Sequence, residues 1–118
     1  MSDLHEKRTQ WLLKLNPGDK AMLYQPRITP RDELALVQRI LTKHPIEKAF
    51  YTKISINTKG GIFDYHLIGL ELKPEFSSEN FLVDLSINEK KLNNFKFLDL
   101  NNNMGLSNQI RKSKIIYE

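Results

Sequence analysis

Two long runs of alternating side chains, joined across a glycine pair, constrain this chain more than any other feature. From Glu47 to Asn57, Ala49, Tyr51, Lys53 and Ser55 fall on one side, and Phe50, Thr52, Ile54 and Ile56 on the other. That period of two is the mark of a β-strand. Thr58-Lys59-Gly60-Gly61 supplies a turn, and the run Ile62 to Leu72 (IFDYHLIGLEL) supplies a second strand. Residues 47–72 therefore read as a hairpin, and any fold must be built around it. Gly69 breaks the second run and marks either a bulge or a close backbone approach.

The hairpin is preceded by a change of period. Leu34, Val37, Ile40 and Leu41 recur at helical spacing behind Thr29-Pro30-Arg31-Asp32, where Thr29 suits a cap and Pro30 the first helical position. The helix must end at His44-Pro45, because the residue before proline is pushed out of the helical region. His44 is thus explained by geometry, and His44→Asn is expected to cost about 1 kcal/mol or less. Lys20 to Gln25 reads as a strand closed by Pro26. A helix is favoured over residues 77–92, with Phe81, Leu82, Leu85 and Leu92 on one face, although FLVDLSI also fits a strand. Phe95 to Leu100 reads as a strand, Gly105 to Lys112 as a short helix, and Ile115-Ile116-Tyr117 as a final strand or docked segment. A short helix is predicted over residues 3–15, with Trp11, Leu12 and Leu15 on one side.

This order implies an α+β fold, with helices packed on one face of a mostly antiparallel sheet. At 118 residues the chain fits a single domain with its own core. Hydrophobic residues at 40% and charged residues at 27% are an ordinary globular balance, and no apolar run approaches the roughly 20 residues of a membrane helix. The N-terminus lacks the order of a secretory leader, and the absence of cysteine excludes disulfides, thiolate nucleophiles and thiolate metal sites. A cytoplasmic location fits best.

Chemistry finds no anchor. The sequence has no glycine-rich phosphate cradle, no nucleophile elbow and no His-Glu-x-x-His. His5, His44 and His66 lie on different elements, and Asp64 with His66 at a spacing of two makes neither a metal site nor a triad. Asp32 and Glu33 sit where they complement a helix dipole. No enzyme activity, cofactor or metal is expected. The net charge of +4 is concentrated toward the end of the chain: Lys90, Lys91, Lys96, Arg111, Lys112 and Lys114 stand against Asp99, Glu118 and the adjoining Glu89. These six bases are the candidate partner-binding residues, facing either an acidic protein surface or phosphate.

Several segments together resemble a family. LYQP (Leu23 to Pro26), DELALVQRIL, HPIEKAFYTKI, HLIGLEL (His66 to Leu72), FKFLDL and the closing KSKIIYE are similar to the C-terminal domain of the SseB-type, enhanced serine sensitivity proteins of bacteria. The resemblance covers residues 18–118, leaving 1–17 as an N-terminal extension where those proteins carry a separate domain. It implies a bacterial, cytoplasmic, non-enzymatic domain, and some members have been proposed as immunity proteins encoded beside toxins. The expected function is therefore binding to a protein partner, such as a toxin with an acidic docking face, with nucleic-acid binding or regulation through the basic end as the alternative. A positive net charge disfavours mimicry of a phosphate backbone, so nucleic-acid-like inhibition is not expected.

Overall fold

A computed structural model describes residues 11–13, 17–102 and 104–118. Its elements, in chain order, are β1 (Lys20–Tyr24), α1 (Arg31–Leu41), β2 (Ile46–Thr58), β3 (Gly61–Leu72), α2 (Ser78–Ile87), β4 (Phe95–Asp99), a 3-10 turn (Leu100–Asn102), α3 (Met104–Ile110) and β5 (Lys114–Tyr117). The α+β class, with a mostly antiparallel sheet, is the class read from the sequence.

The hairpin forms the middle of the sheet, in register from Thr58↔Gly61 back to Lys48↔Glu71. Its turn is closed by Thr58, whose Oγ1 accepts from the Gly60 amide at 3.1 Å and donates to the Gly61 carbonyl at 3.0 Å. Gly61 has φ +131°, a conformation that side chains with a Cβ rarely adopt, so glycine is required there. At the other end β2 carries one extra residue between Ile46 and Lys48 relative to β3. That bulge returns the even-numbered Ile46 to the core face of Ala49 and Tyr51. The irregularity therefore lies there, and Gly69 is the site of a close approach: a Cβ on it would lie 2.5 Å from Ile110 Cγ2 and 2.9 Å from Leu100 Cδ2.

α1 begins one residue later than the sequence reading. Pro30, with no side-chain cap bond, stands at the N-cap position, and its carbonyl accepts the first helical bond from the Leu34 amide at 2.9 Å. Proline's restricted φ prepares the chain for the helix, so a hydroxyl cap is dispensable. α2 ends at Ile87, before Leu92, and is capped by Ser77, whose side chain accepts from the Asn80 amide. Because β4 runs parallel to β3, the connection between them must cross over the sheet, and α2 is that crossover.

Two apolar layers result, one on each face of the sheet. Leu34, Val37, Ile40 and Leu41 of α1 and Phe81, Leu82 and Leu85 of α2 cover Tyr51, Ile68, Phe95 and Phe97. Each such side chain contributes about 1.5–3 kcal/mol when fully buried. On the opposite face Ile110 of α3 joins Phe50, Ile54, Leu67, Leu98 and Leu100. The two longer helices thus share one face, but α3 does not join them as the sequence reading had it. Leu98 and Leu100 already face that second side, and the chain that follows them stays on it.

The helix predicted over residues 3–15 lies outside the described residues except at Trp11–Leu13. There Leu12 bridges Phe97 in parallel, the Phe97 amide donates to the Trp11 carbonyl (2.8 Å) and the Leu13 amide to the Phe97 carbonyl (3.0 Å). Backbone groups on the outer edge of β4 need partners, and this extended segment supplies them. Trp11 is buried edge-on against Phe97, with its ring N–H toward Ser86 Oγ at 3.3 Å.

Candidate docking surface at the split sheet edge

β1 and β5 lie end to end along the same edge of β2. β1 pairs with residues 53–57 of that strand (Tyr24↔Lys53) and β5 with residues 49–51 (Tyr51↔Lys114). Between them Thr52 has no strand partner on this edge. Its hydroxyl instead donates to the Tyr24 carbonyl at 3.1 Å and closes the end of β1. Pro26 cannot extend the ladder, so the chain leaves the sheet after Tyr24 and returns to the same edge only at Lys114. The gap is a notch of about 250 Å³ walled by Tyr24, Gln25, Thr52, Gln109, Lys112 and Ser113.

Bases from two parts of the sequence flank this edge, on its two faces. Lys112 lines the notch. Lys114 faces the same side as Tyr51 and Lys53, and the Lys53 ammonium lies 5.6 Å from the centre of the Tyr24 ring. Neither Lys112 nor Lys114 takes part in an ion pair among the described residues. Arg111 is different: its Nε donates to Glu71 Oε1 at 3.0 Å, which ties the end of α3 to β3.

The fold does not bring the six sequence-selected bases together. Lys90 and Lys91 follow α2 and line a separate polar groove of about 680 Å³ with Asp32, Glu33 and Arg39 of α1, where two acids stand among three bases. Lys96 sits on β4, on the α3 face, with its ammonium 5.1 Å from the centre of the Tyr65 ring. Burial lowers its pKa from the ordinary lysine value. Arg111, Lys112 and Lys114 remain neighbours along the chain, and the register sets Lys53 on the same face as Lys114, which no local pattern announced.

Two histidine pairs were also missed. His44 ends α1 as read, its amide donating to the Leu41 carbonyl at 3.2 Å. Its ring is nearly buried, with Nε2 at 2.6 Å from Asp84 Oδ2 and its plane edge-on to Phe81 at 5.2 Å. It therefore fastens α1 to α2 as well as ending α1. His66 Nδ1 lies 2.7 Å from the Tyr51 hydroxyl, and its ring stacks on Phe95 at 4.7 Å. Burial pushes the Tyr51 pKa up to about 12, with Tyr24 adding to it. Burial also lowers that of His66, helped by Lys53 and opposed by Glu33. Both groups are neutral near pH 7, and the Tyr51 hydroxyl and Nδ1 share one hydrogen bond that links neighbouring strands. Counting back from the Thr58↔Gly61 pair sets His66 opposite Lys53 and one step from Tyr51, so the hairpin register held the signal.

A larger apolar depression of about 680 Å³ lies at the ends of β3 and β4, bounded by Leu70, Leu72, Phe76 and Phe97, with Lys73 and Asp99 at its rim. Opposite charges on that rim select no partner. Among the described residues no three His, Asp or Glu side chains converge to hold a metal ion, and no helix is long and apolar enough to cross a membrane. No family model, characterised protein or solved structure matches the chain. The likeness to the SseB-type domain rests on the quoted segments alone.

Proposed function

We propose that this is a non-enzymatic protein-binding domain that docks an acidic partner against the split β1/β5 edge. The observation that carries the reading is the pair of ammonium groups flanking that edge, Lys112 at the notch and Lys114 on the opposite face with Lys53, neither of which has an ion-pair partner among the described residues. Exposed bases along one edge steer an acidic partner toward it and complement its charge. The likeness to the SseB-type domain supports a specific form of this function: a bacterial, cytoplasmic immunity protein that neutralises a cognate toxin by direct binding.

Co-purification from the native cell, followed by association kinetics with the captured protein, tests the proposal. Reversing Lys112 and Lys114 to Glu slows association at least about tenfold at low salt, while far-UV circular dichroism is unchanged, because charges at an interface rim act mainly on the association rate. Arg111 is left in place, since reversing it breaks the bond to Glu71 and confounds folding with docking. Failure to capture any protein, or unchanged association after the double reversal, refutes the reading. A nanomolar complex with nucleic acid that weakens steeply with salt would replace it with the alternative.

A further inference from the structure

We infer that two copies of this chain pair through the outer edge of β1, antiparallel about a two-fold axis at Met22. Lys112 and Lys114 flank the β5 half of the split edge, so this pairing is independent of the docking reading. Among the described residues the sheet ends in β4 on one side and in β1 and β5 on the other, and two of these three are engaged. The Trp11–Leu13 segment bonds β4, and the Gln38 side chain donates to the Ile116 carbonyl of β5 at 2.8 Å. β1 pairs with β2 alone. It carries no bulge and no proline, Pro17 and Pro26 lying outside it, and its one charge, Lys20, stands at its first residue. The devices that keep a strand edge from pairing are therefore missing from its middle.

The register settles which backbone groups β1 presents. The His66 amide donates to the Asn94 carbonyl, on the β4 side of β3, so Lys53↔His66 exchanges no hydrogen bonds and the Lys53 backbone turns toward β1. Tyr24, Met22 and Lys20 thus bond β2, and the amide and carbonyl groups of Ala21 and Leu23 point outward. Those outward groups have no hydrogen-bond partner among the described residues. Antiparallel pairing that overlaps the whole of β1 sets Ala21 opposite the second copy's Leu23, and Leu23 opposite its Ala21. The amides and carbonyls of both pairs then satisfy one another.

Side chains favour a second copy over an unrelated strand. Met22, 70% exposed, falls on the two-fold axis and meets its own copy, where two flexible thioether chains cover each other. Lys20 falls opposite the second copy's Tyr24 on the same face, bringing an ammonium group to the outer side of a ring that Lys53 approaches from β2 at 5.6 Å. Ala21 faces Leu23 on the other face, small against large. No like charges oppose each other, so the edge is complementary to itself. A strand of 5 residues spans only about 17 Å, and its contact falls short of the roughly 1,200 Å² of standard interfaces, so the dimer is a concentration-dependent one.

Sedimentation velocity of the full chain from about 10 µM to about 1 mM tests this, and a monomer that passes into dimer over that range is expected. Hydrogen exchange on the ¹⁵N-labelled chain reads the register: the Ala21 and Leu23 amides gain more protection as the dimer forms than those of Met22 and Tyr24, which already bond β2. Met22→Lys and Met22→Glu each weaken association at least about tenfold by setting like charges on the axis, and an equimolar mixture of the two variants recovers it. The side chain is exposed, so the urea midpoint of the dilute monomer is unchanged in both. A chain that stays monomeric at about 1 mM, a dimer indifferent to both substitutions, or a mixture that fails to recover pairing overturns the inference. Protection of Ala21 and Leu23 that appears only with a captured protein also overturns it, and assigns the edge to a strand of that protein.

Discussion

Replacing Gly69 by alanine is the sharpest probe of how the two faces of the sheet are packed. The new Cβ would lie 2.5 Å from Ile110 Cγ2, 2.9 Å from Leu100 Cδ2 and 3.3 Å from Leu100 Cδ1, against a comfortable carbon separation of about 3.5–4.0 Å. Leu100 can turn its terminal methyls aside. Ile110 cannot, because Cγ2 is attached directly to its Cβ, β-branched side chains are stiff at χ1, and the residue is fully buried. Relief therefore requires α3 to lift from the sheet. Overpacking of this kind costs about 1–3 kcal/mol, offset by about 0.4–1 kcal/mol from the lower entropy of an unfolded chain with alanine in place of glycine. The net expectation is a loss of about 1–2 kcal/mol, read as a lower urea midpoint at unchanged slope. A double-mutant cycle isolates the contact. Ile110→Ala alone costs about 2–5 kcal/mol by opening a cavity, and in the double variant the methyl added at position 69 occupies part of it. The two losses should then fall short of additivity by about 1 kcal/mol or more. A Gly69→Ala protein as stable as the parent, or strict additivity in the cycle, would refute the packing described for α3.

His44→Ala should cost about 2–4 kcal/mol in urea unfolding, from a charge-assisted hydrogen bond to Asp84 and the lost edge contact with Phe81, and a loss under about 1 kcal/mol would return His44 to a mere helix terminator. Burial lowers the His66 pKa below its unfolded value of 6.5, so the folded state binds fewer protons; its contribution is complete above pH 6.5 and is lost as pH falls below that value, and His66→Gln should flatten the pH dependence of the urea midpoint in that window. Tyr51 behaves oppositely: with its pKa raised from 10.0 to about 12, its contribution is present below pH 10 and lost as pH rises toward 12, and Tyr51→Phe should remove that alkaline loss in the same titration. Stopped-flow association with the captured partner across a salt series should show Lys112→Glu/Lys114→Glu converging on the parent at high salt, since screening removes the rim charge that distinguishes them.

Much of the architecture was written locally. Alternation from Ala49 to Ile56 placed every side chain of that stretch on its correct face, because a strand's period of two is a property of the backbone and needs no knowledge of what covers it. The break at His44-Pro45 followed equally from sterics between adjacent residues. The candidate site was less legible. Six bases near the end of the chain were visible as a composition, but the sheet distributes them over a polar groove, the Tyr65 ring and the split edge.

What the amino-acid sequence determined by itself is thus the set of elements: the hairpin, the α1 boundary, the glycine turn and the α+β class. Tertiary structure alone decided the rest. That α3 covers the face opposite α1 and α2 depends on Gly69 leaving room for Ile110 and Leu100, which lie 41 and 31 residues further along the chain. The partners of His44 and Arg111 are each 40 residues distant, and Lys53 shares a face with Lys114 only because β5 pairs with β2 beside it. Periodicity and steric exclusion act over a few residues of backbone, whereas these contacts form where distant segments compete for the same apolar face or the same strand edge, and that competition is settled only in the packed molecule.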